Sequence, residues 1–291
     1  MQSIDKTVFY PESSICTLHI SDLNDRNLQL SFIQDDSPDT LSCFCSYQCI
    51  NESFDLKYIY LWLNTNQLKT YTGSLLIKDF HQEHTIIPYR IRSIFLENFD
   101  SFPLSAKNWT YYSNPEAKHV QFDYIDRKLQ FIFDSTSQEL STGIRSNFKI
   151  CGDFTVSIEL KLRDEMKDGF TVNFFVSNSP DTGKWDGEIA GISISGLQSS
   201  MKLECKSIEL QNYSRVEKMT SGELKLSRKG SLMSYYLNDG ITTSDSQPVI
   251  THSYLPEDSV YIHLKMTVSD LSKVRHCCWN NFTVSGGVFS Y

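Results

Sequence analysis

Hydrophobic and polar positions alternate along much of this chain with a period of two. Successive side chains of a strand point to opposite faces, so such a segment has one apolar face and one wet face. FTVSIELKL (154–162) is the clearest case: Phe154, Val156, Ile158, Leu160 and Leu162 share one face, and Thr155, Ser157, Glu159 and Lys161 the other. VYIHLKMTV (260–268) repeats the pattern, with Val260, Ile262, Leu264, Met266 and Val268 inward and Tyr261, His263, Lys265 and Thr267 outward. VQFDYI (120–125) and LQFIF (129–133) flank Asp126-Arg127-Lys128 and read as a hairpin. FTVNFFVS (170–177), EIAGISI (188–194), MKLECKSIEL (201–210), GELKLSR (222–228), SLMSYYL (231–237) and FTVSGGVFS (282–290) supply further strands. Helical periodicity is absent beyond single turns at 114–118 and 269–275. Long strands with one wet face predict two stacked antiparallel sheets.

The first part of the chain is β-rich in shorter pieces. SICTLHI (14–20), NLQLSFI (27–33), LKYIYLWL (56–63), GSLLIKDF (73–80) and TIIPYRIRSIFL (85–96) are separated by Asn, Asp, Ser and Pro breakers. Strands at this spacing predict a small sandwich. Pro88 lacks a backbone donor, which places it at an edge or a bulge. NFDSFPLSAKN (98–108) has the composition of a turn or linker. The expected organisation is an N-terminal β-sandwich-like domain at 1–97 and a jelly-roll domain at 98–291.

Two stretches carry a family resemblance. Gly143-Ile-Arg-Ser is followed by Gly152-Asp153-Phe154 opening a long alternating strand. Leu224-x-Leu226-x-Arg228-x-Gly230-Ser231 is followed by Tyr235-Tyr236 and Asp239-Gly240. These residues resemble the hairpin of concanavalin A-like (LamG-type) jelly-roll domains in uncharacterised bacterial proteins. The resemblance covers residues 100–291 and implies an all-β jelly roll. Gly230 and Asp239-Gly240 suit tight turns that need positive φ. The motif implies a fold and no particular chemistry.

Composition narrows the function classes. The chain has 291 residues, 40% hydrophobic and 13% aromatic, enough for a substantial core. Its formal net charge of −8 and the lack of a dense Lys/Arg block argue against nucleic acid and against an anionic membrane surface. No apolar run has the length of a membrane span. The start lacks the basic and apolar regions of a secretory leader, so the expectation is a cytoplasmic protein. The eight cysteines (Cys16, Cys43, Cys45, Cys49, Cys151, Cys205, Cys277 and Cys278) read as reduced, partly buried thiols.

No nucleophile elbow, phosphate loop or dinucleotide fingerprint occurs. Many enzymes of the resembled fold are glycoside hydrolases, and the laminarinase type needs acidic residues alternating on one strand. No E-x-D-x-E spacing is present. Glu159 and Lys161 read as a solvated charge pattern, with Asp164-Glu165 in the loop beyond. Cys43-x-Cys45-x-x-x-Cys49 lacks paired zinc knuckles, and His81-Gln-Glu83-His84 reads as a turn. The oxygen-rich loop holding Asp181 and Asp186 is a candidate for structural calcium. For a sugar, Trp185 and Asp186 form the best platform, with Tyr213, Tyr235, Tyr236 and His263 assigned to a wet face. The expectation is therefore a non-catalytic module, not an enzyme, that binds a glycan or a protein surface. The alternatives are an oligomeric structural component, in line with the abundant aromatics, and a divergent glycoside hydrolase.

Overall fold

The computed structural model describes residues 4–10, 15–19, 29–34, 41–50, 53–63, 67–78, 84–99, 103–111, 120–123, 128–133, 141–162, 169–180, 189–197, 200–206, 213–217, 221–238, 250–253, 259–269 and 274–291. The chain divides into two compact units, Met1–Phe95 and Leu96–Tyr291. No helix occurs among the described residues, in keeping with the all-β expectation.

The first unit contains β1 (Ile4–Tyr10), β2 (Ile15–His19), β3 (Gln29–Gln34), β4 (Leu41–Ile50), β5 (Ser53–Leu63), β6 (Thr70–Lys78) and most of β7 (His84–Glu97). β7 pairs in parallel with β1 and antiparallel with β6, which pairs with β3. β5 lies between β2 and β4. β7 is thus an inner strand, yet its ladder with β1 begins at Tyr89, one residue after Pro88. Pro88 has a partner only on the β6 side, opposite Ser74, which is how an inner strand tolerates a residue without a donor. Leu68, Tyr71, Leu75, Ile87, Tyr89, Ile91 and Phe95 are buried.

The second unit contains β8 (Trp109–Tyr111), β9 (Val120–Asp123), β10 (Lys128–Phe133), β11 (Ser141–Ser146), β12 (Lys149–Leu162), β13 (Phe170–Ser177) and β14 (Ile189–Leu197). It continues with β15 (Ser200–Lys206), β16 (Tyr213–Glu217), β17 (Ser221–Lys229), β18 (Leu232–Asn238), β19 (Ile250–Ser253), β20 (Ser259–Val268) and β21 (Arg275–Ser290). They form two antiparallel sheets. Sheet I runs β9-β10-β21-β12-β17-β18-β19. Sheet II runs β8-β11-β20-β13-β14-β15-β16. Strands distant in sequence are neighbours in both, as in a jelly roll.

The inner faces meet as the alternation predicts. Phe154, Val156, Ile158, Leu160 and Leu162 of β12 are buried, as are Ile262, Leu264, Met266 and Val268 of β20. Cys277 Sγ of sheet I lies 3.6 Å from Met266 Sδ of sheet II. An aromatic cluster seals one end: the Trp109 ring stands edge-on to Phe282 at 5.2 Å and to Phe148 at 6.0 Å. The Trp109 indole N–H donates to Glu97 Oε2 (3.2 Å), and Glu97 Oε1 accepts from the Phe99 amide (3.2 Å). An aromatic of this size is best buried when its polar edge keeps a partner.

Both expected hairpins are present. β9 pairs with β10, Asp123 opposite Lys128. β17 and β18 turn at Gly230, where φ is +58°. The Asp153 carboxylate accepts from the Gly230 amide at 2.6 Å, tying this turn to the start of the long strand. Asp239 and Gly240 lie outside the described residues.

Candidate functional site

The outward face of sheet I carries a row of four polar residues in register. Asn280 of β21 is opposite Glu159 of β12, Glu159 is opposite Glu223 of β17, and Glu223 is opposite Asn238 of β18. The row lines a cleft of about 470 Å³, together with Lys128, Lys161, Ser221, Gly222 and Cys278. Glu159 is exposed and Glu223 half-buried.

Two local features create the row. Alternation along β12 and β17 puts Glu159 and Glu223 outward because Ile158, Leu160, Leu224 and Leu226 point into the core. On β21 the register slips by one residue: Ser157 faces Thr283, but Glu159 faces Asn280. The extra residue is Asn281, at φ +48°. This bulge keeps Trp279 and Phe282 both inward and leaves Asn280 beside Glu159.

The next row on this face is Thr283, Ser157, Lys225 and Tyr236. Ser157 and Thr283 hydroxyls hydrogen-bond at 2.8 Å, and Lys225 Nζ lies 5.4 Å from the centre of the Tyr236 ring. Tyr236 is half-buried, so it borders the carboxylate row with part of its ring open.

The sequence-derived site residues do not gather into one place. Tyr236 stands next to the carboxylate row. Tyr235 is 0% exposed and belongs to the core, contrary to expectation, because neighbours on a strand face opposite ways and Tyr235 shares the inward face with Met233. His263 is also 0% exposed. It does lie on the outward-facing side of β20, but its ring stacks on Phe175 at 4.5 Å and 6°, so it is covered rather than wet. Burial, then the Arg145 charge, then Lys265 lower its pKa to about 3, against a hydrogen bond at the Ser179 backbone that raises it. Tyr213 is the first residue of β16, opposite Cys205. Trp185, Asp186 and Asp181 lie outside the described residues. Among the described residues no three His, Cys, Asp or Glu come together as a metal would need. Cys43, Cys45 and Cys49 lie along β4. Cys151, Cys277 and Cys278 form no disulfide among the described residues, and burial pushes the Cys277 thiol up.

Glu223 was not singled out by sequence reasoning. Its outward position was legible from GELKLSR, but its partner was not, because pairing register between strands 64 residues apart leaves no local mark.

No known family model matches this sequence, nor does any curated protein. Solved structures do share the fold. One comes from work on human gut bacteria that "express endo-acting O-glycanases to initiate mucin breakdown"; it is 10% identical, with a TM-score of 0.50 over 66% of this chain and 98% of that one. Another is a Mycobacterium tuberculosis immunostimulatory antigen and pseudo beta-1,3-glucanase, 11% identical, TM-score 0.50, over 66% and 98%. A Thermotoga petrophila laminarinase catalytic domain is 9% identical, TM-score 0.48, over 66% and 96%. The concanavalin A-like sandwich therefore stands, in the form shared with glycoside hydrolase-like structures. The expectation of a non-catalytic, non-enzymatic binding module is corrected by the same comparisons, which return a scaffold used to cleave glycans.

Proposed function

We propose that the protein acts on a glycan as a divergent glycoside hydrolase, with Glu159 and Glu223 as its carboxylate pair. The observation that carries this reading is the direct opposition of the two glutamates in one cleft. Directly opposed residues of an antiparallel pair have Cβ atoms about 4.5–5.5 Å apart. Retaining glycosidases hold their two carboxyl groups roughly 5–5.5 Å apart.

One carboxyl group protonates the leaving glycosidic oxygen as the C–O bond breaks, while the other carboxylate bonds to the anomeric carbon. The first then takes a proton from water, which displaces the enzyme carboxylate and restores both groups. Asn280 and Asn238 flank the pair and are placed to hydrogen-bond sugar hydroxyls. Lys128 and Lys161 offset the negative charge of the cleft, and Tyr236 offers a ring edge beside it.

The test is release of new reducing ends from beta-1,3-glucan and from mucin O-glycans, the substrates suggested by the structural neighbours. The wild-type chain is expected to cleave at least one, and Glu159→Gln and Glu223→Gln each to slow cleavage by about 100-fold or more. Cleavage undiminished in the double glutamine variant would remove these residues from the mechanism. No cleavage of either substrate class would count against the enzyme.

A further inference from the structure

The outward face of sheet I repeats a short motif. Ser-x-Glu-Leu-Lys-Leu occurs at 157–162 of β12 and again at 221–226 of β17. The two copies run antiparallel with Glu159 opposite Glu223, so Ser157 opposes Lys225 and Ser221 opposes Lys161. Directly opposed residues of an antiparallel pair are related by a local two-fold axis perpendicular to the sheet. Here the axis passes between the glutamates and turns one copy of the motif into the other. It reaches the flanking strands as well. Asn280 of β21 exchanges with Asn238 of β18, and Cys278, the partner of Lys161, exchanges with Tyr236, the partner of Lys225.

The two halves differ in what fills them. In one, the Ser157 hydroxyl bonds to the Thr283 hydroxyl at 2.8 Å, and Lys225 Nζ stands over the Tyr236 ring, 5.4 Å from its centre. A cation over a ring face is held there by the ring quadrupole. In the other half the place of Tyr236 is taken by Cys278, a far smaller side chain. Lys161, Ser221 and Cys278 all line the cleft, and Lys161 and Ser221 are exposed. The cleft thus opens on the side where the tyrosine has no counterpart.

The filled half shows what the open half can hold. Ser157 meets a hydroxyl and Lys225 meets a six-membered ring, both supplied from within the protein. Ser221 and Lys161 present the same two groups to the cleft, where a ligand supplies the partners: a hydroxyl can donate to or accept from Ser221, and Lys161 has donors only. Two lysines and two glutamates line the cleft, so its charges balance, which suits an uncharged ring bearing hydroxyls. We infer that Lys161, Ser221 and Cys278 form a subsite for one pyranose ring of a neutral glycan, adjoining the Glu159–Glu223 pair. Ser221 hydrogen-bonds a ring hydroxyl, Lys161 donates to the ring's oxygens, and Cys278 floors the subsite because it is small enough to leave the ring its room. This rests on the reading of the cleft as a glycan site and adds the class of ligand and the residues that seat it.

The experiment is calorimetric titration of the full chain with a beta-1,3-linked glucose trisaccharide, a neutral mucin-type trisaccharide, a sulfated form of each, and phenol. At least one neutral sugar is expected to bind saturably, and Cys278→Tyr, which gives the open half the ring that the filled half already has, to weaken that binding about tenfold or more. Ser221→Tyr fills the same space from an exposed position and should do the same should the tyrosine at 278 prevent folding. Lys161→Ala and Ser221→Ala should each weaken binding by a smaller factor. Affinity unchanged in both tyrosine variants, or in both alanine variants, would overturn the subsite, as would the absence of saturable binding by either neutral sugar. Tighter binding of phenol or of a sulfated sugar would overturn the class of ligand. The titrations are repeated in the double glutamine variant of Glu159 and Glu223. Sugar bound by both proteins and cleaved by neither leaves the subsite standing and removes the hydrolase reading; cleavage that persists in both tyrosine variants removes the subsite and leaves the hydrolase reading.

Discussion

Burial against Phe175, with Arg145 and Lys265 nearby, holds the His263 imidazole neutral in the folded chain, its pKa near 3. An unfolded histidine titrates near 6.5. Between these values the unfolded chain binds a proton that the folded chain does not. Stability from this residue is therefore present above about pH 6.5 and is lost as pH falls toward 3. The loss between pH 7 and 4.5 is on the order of 3 kcal/mol. Urea melts at the two pH values should show His263→Gln losing less stability than the wild type over that interval; equal losses would contradict the assignment. Directly across from Phe175 is Gly191. A Cβ there would collide with Phe175 Cβ and sit 2.7 Å from the Phe174 carbonyl oxygen. Gly191→Ala is expected to destabilise by about 1–3 kcal/mol or more, through forced movement of β13 against β14. A melting temperature unchanged by the substitution would show that the two strands separate at no cost.

At the scale of the element, β21 is the strand whose irregularity matters most. A side chain at φ +48° costs roughly 1–2 kcal/mol, less for asparagine than for branched residues. Asn281→Val should lower unfolding free energy by about that amount, and Asn281→Gly should be neutral or stabilising; the opposite order in denaturant melts would remove the bulge as an explanation. This strand also shows what the sequence revealed and what it hid. The apolar face of β12 was legible in full, because five alternate positions obey one period. Residues 282–290 of β21 were legible too, but 275–281 were not: Trp279 and Phe282 are three apart, which no regular strand can put on one face. Only the bulge reconciles them. For the candidate site, alternation marked Glu159 and Tyr236 as outward. It also excluded placing Tyr235 and Tyr236 together on a wet face, a constraint the sequence reading overlooked. The opposition of Glu159 and Glu223 depends on which strands become neighbours, and local patterning does not encode that. His263 fits the outward alternation of β20; its burial comes from the Phe175 ring on β13, again a tertiary fact.

At the scale of the whole molecule, the two sheets of the second unit are joined by an apolar interior that includes Trp109, Phe148, Phe282 and Trp279. Truncating Trp109 to Ala removes a buried ring and leaves Glu97 without its indole partner. The expected cost is about 3–5 kcal/mol, measurable by chemical denaturation. A cost below about 1 kcal/mol would mean that the ring cluster contributes little to holding the sheets together. Residues 96–291 form their own compact unit with its own core, so a fragment of that span should unfold in a single cooperative transition; a broad, non-cooperative melt would show dependence on the remainder.

β21 lies between β10 and β12, and its partners on both sides come more than a hundred residues earlier. During synthesis, therefore, the middle of sheet I stays vacant until residues 275–290 have been made. β10 and β12 meanwhile carry open ladders toward the missing strand, the kind of edge that invites pairing with another chain. Loop closure over such separations is slow, so folding is expected on the millisecond-to-second scale typical of β sandwiches. The nascent chain is then most exposed to misassociation just before its central strand arrives, and a chaperone that shields β10 and β12 would act at that moment.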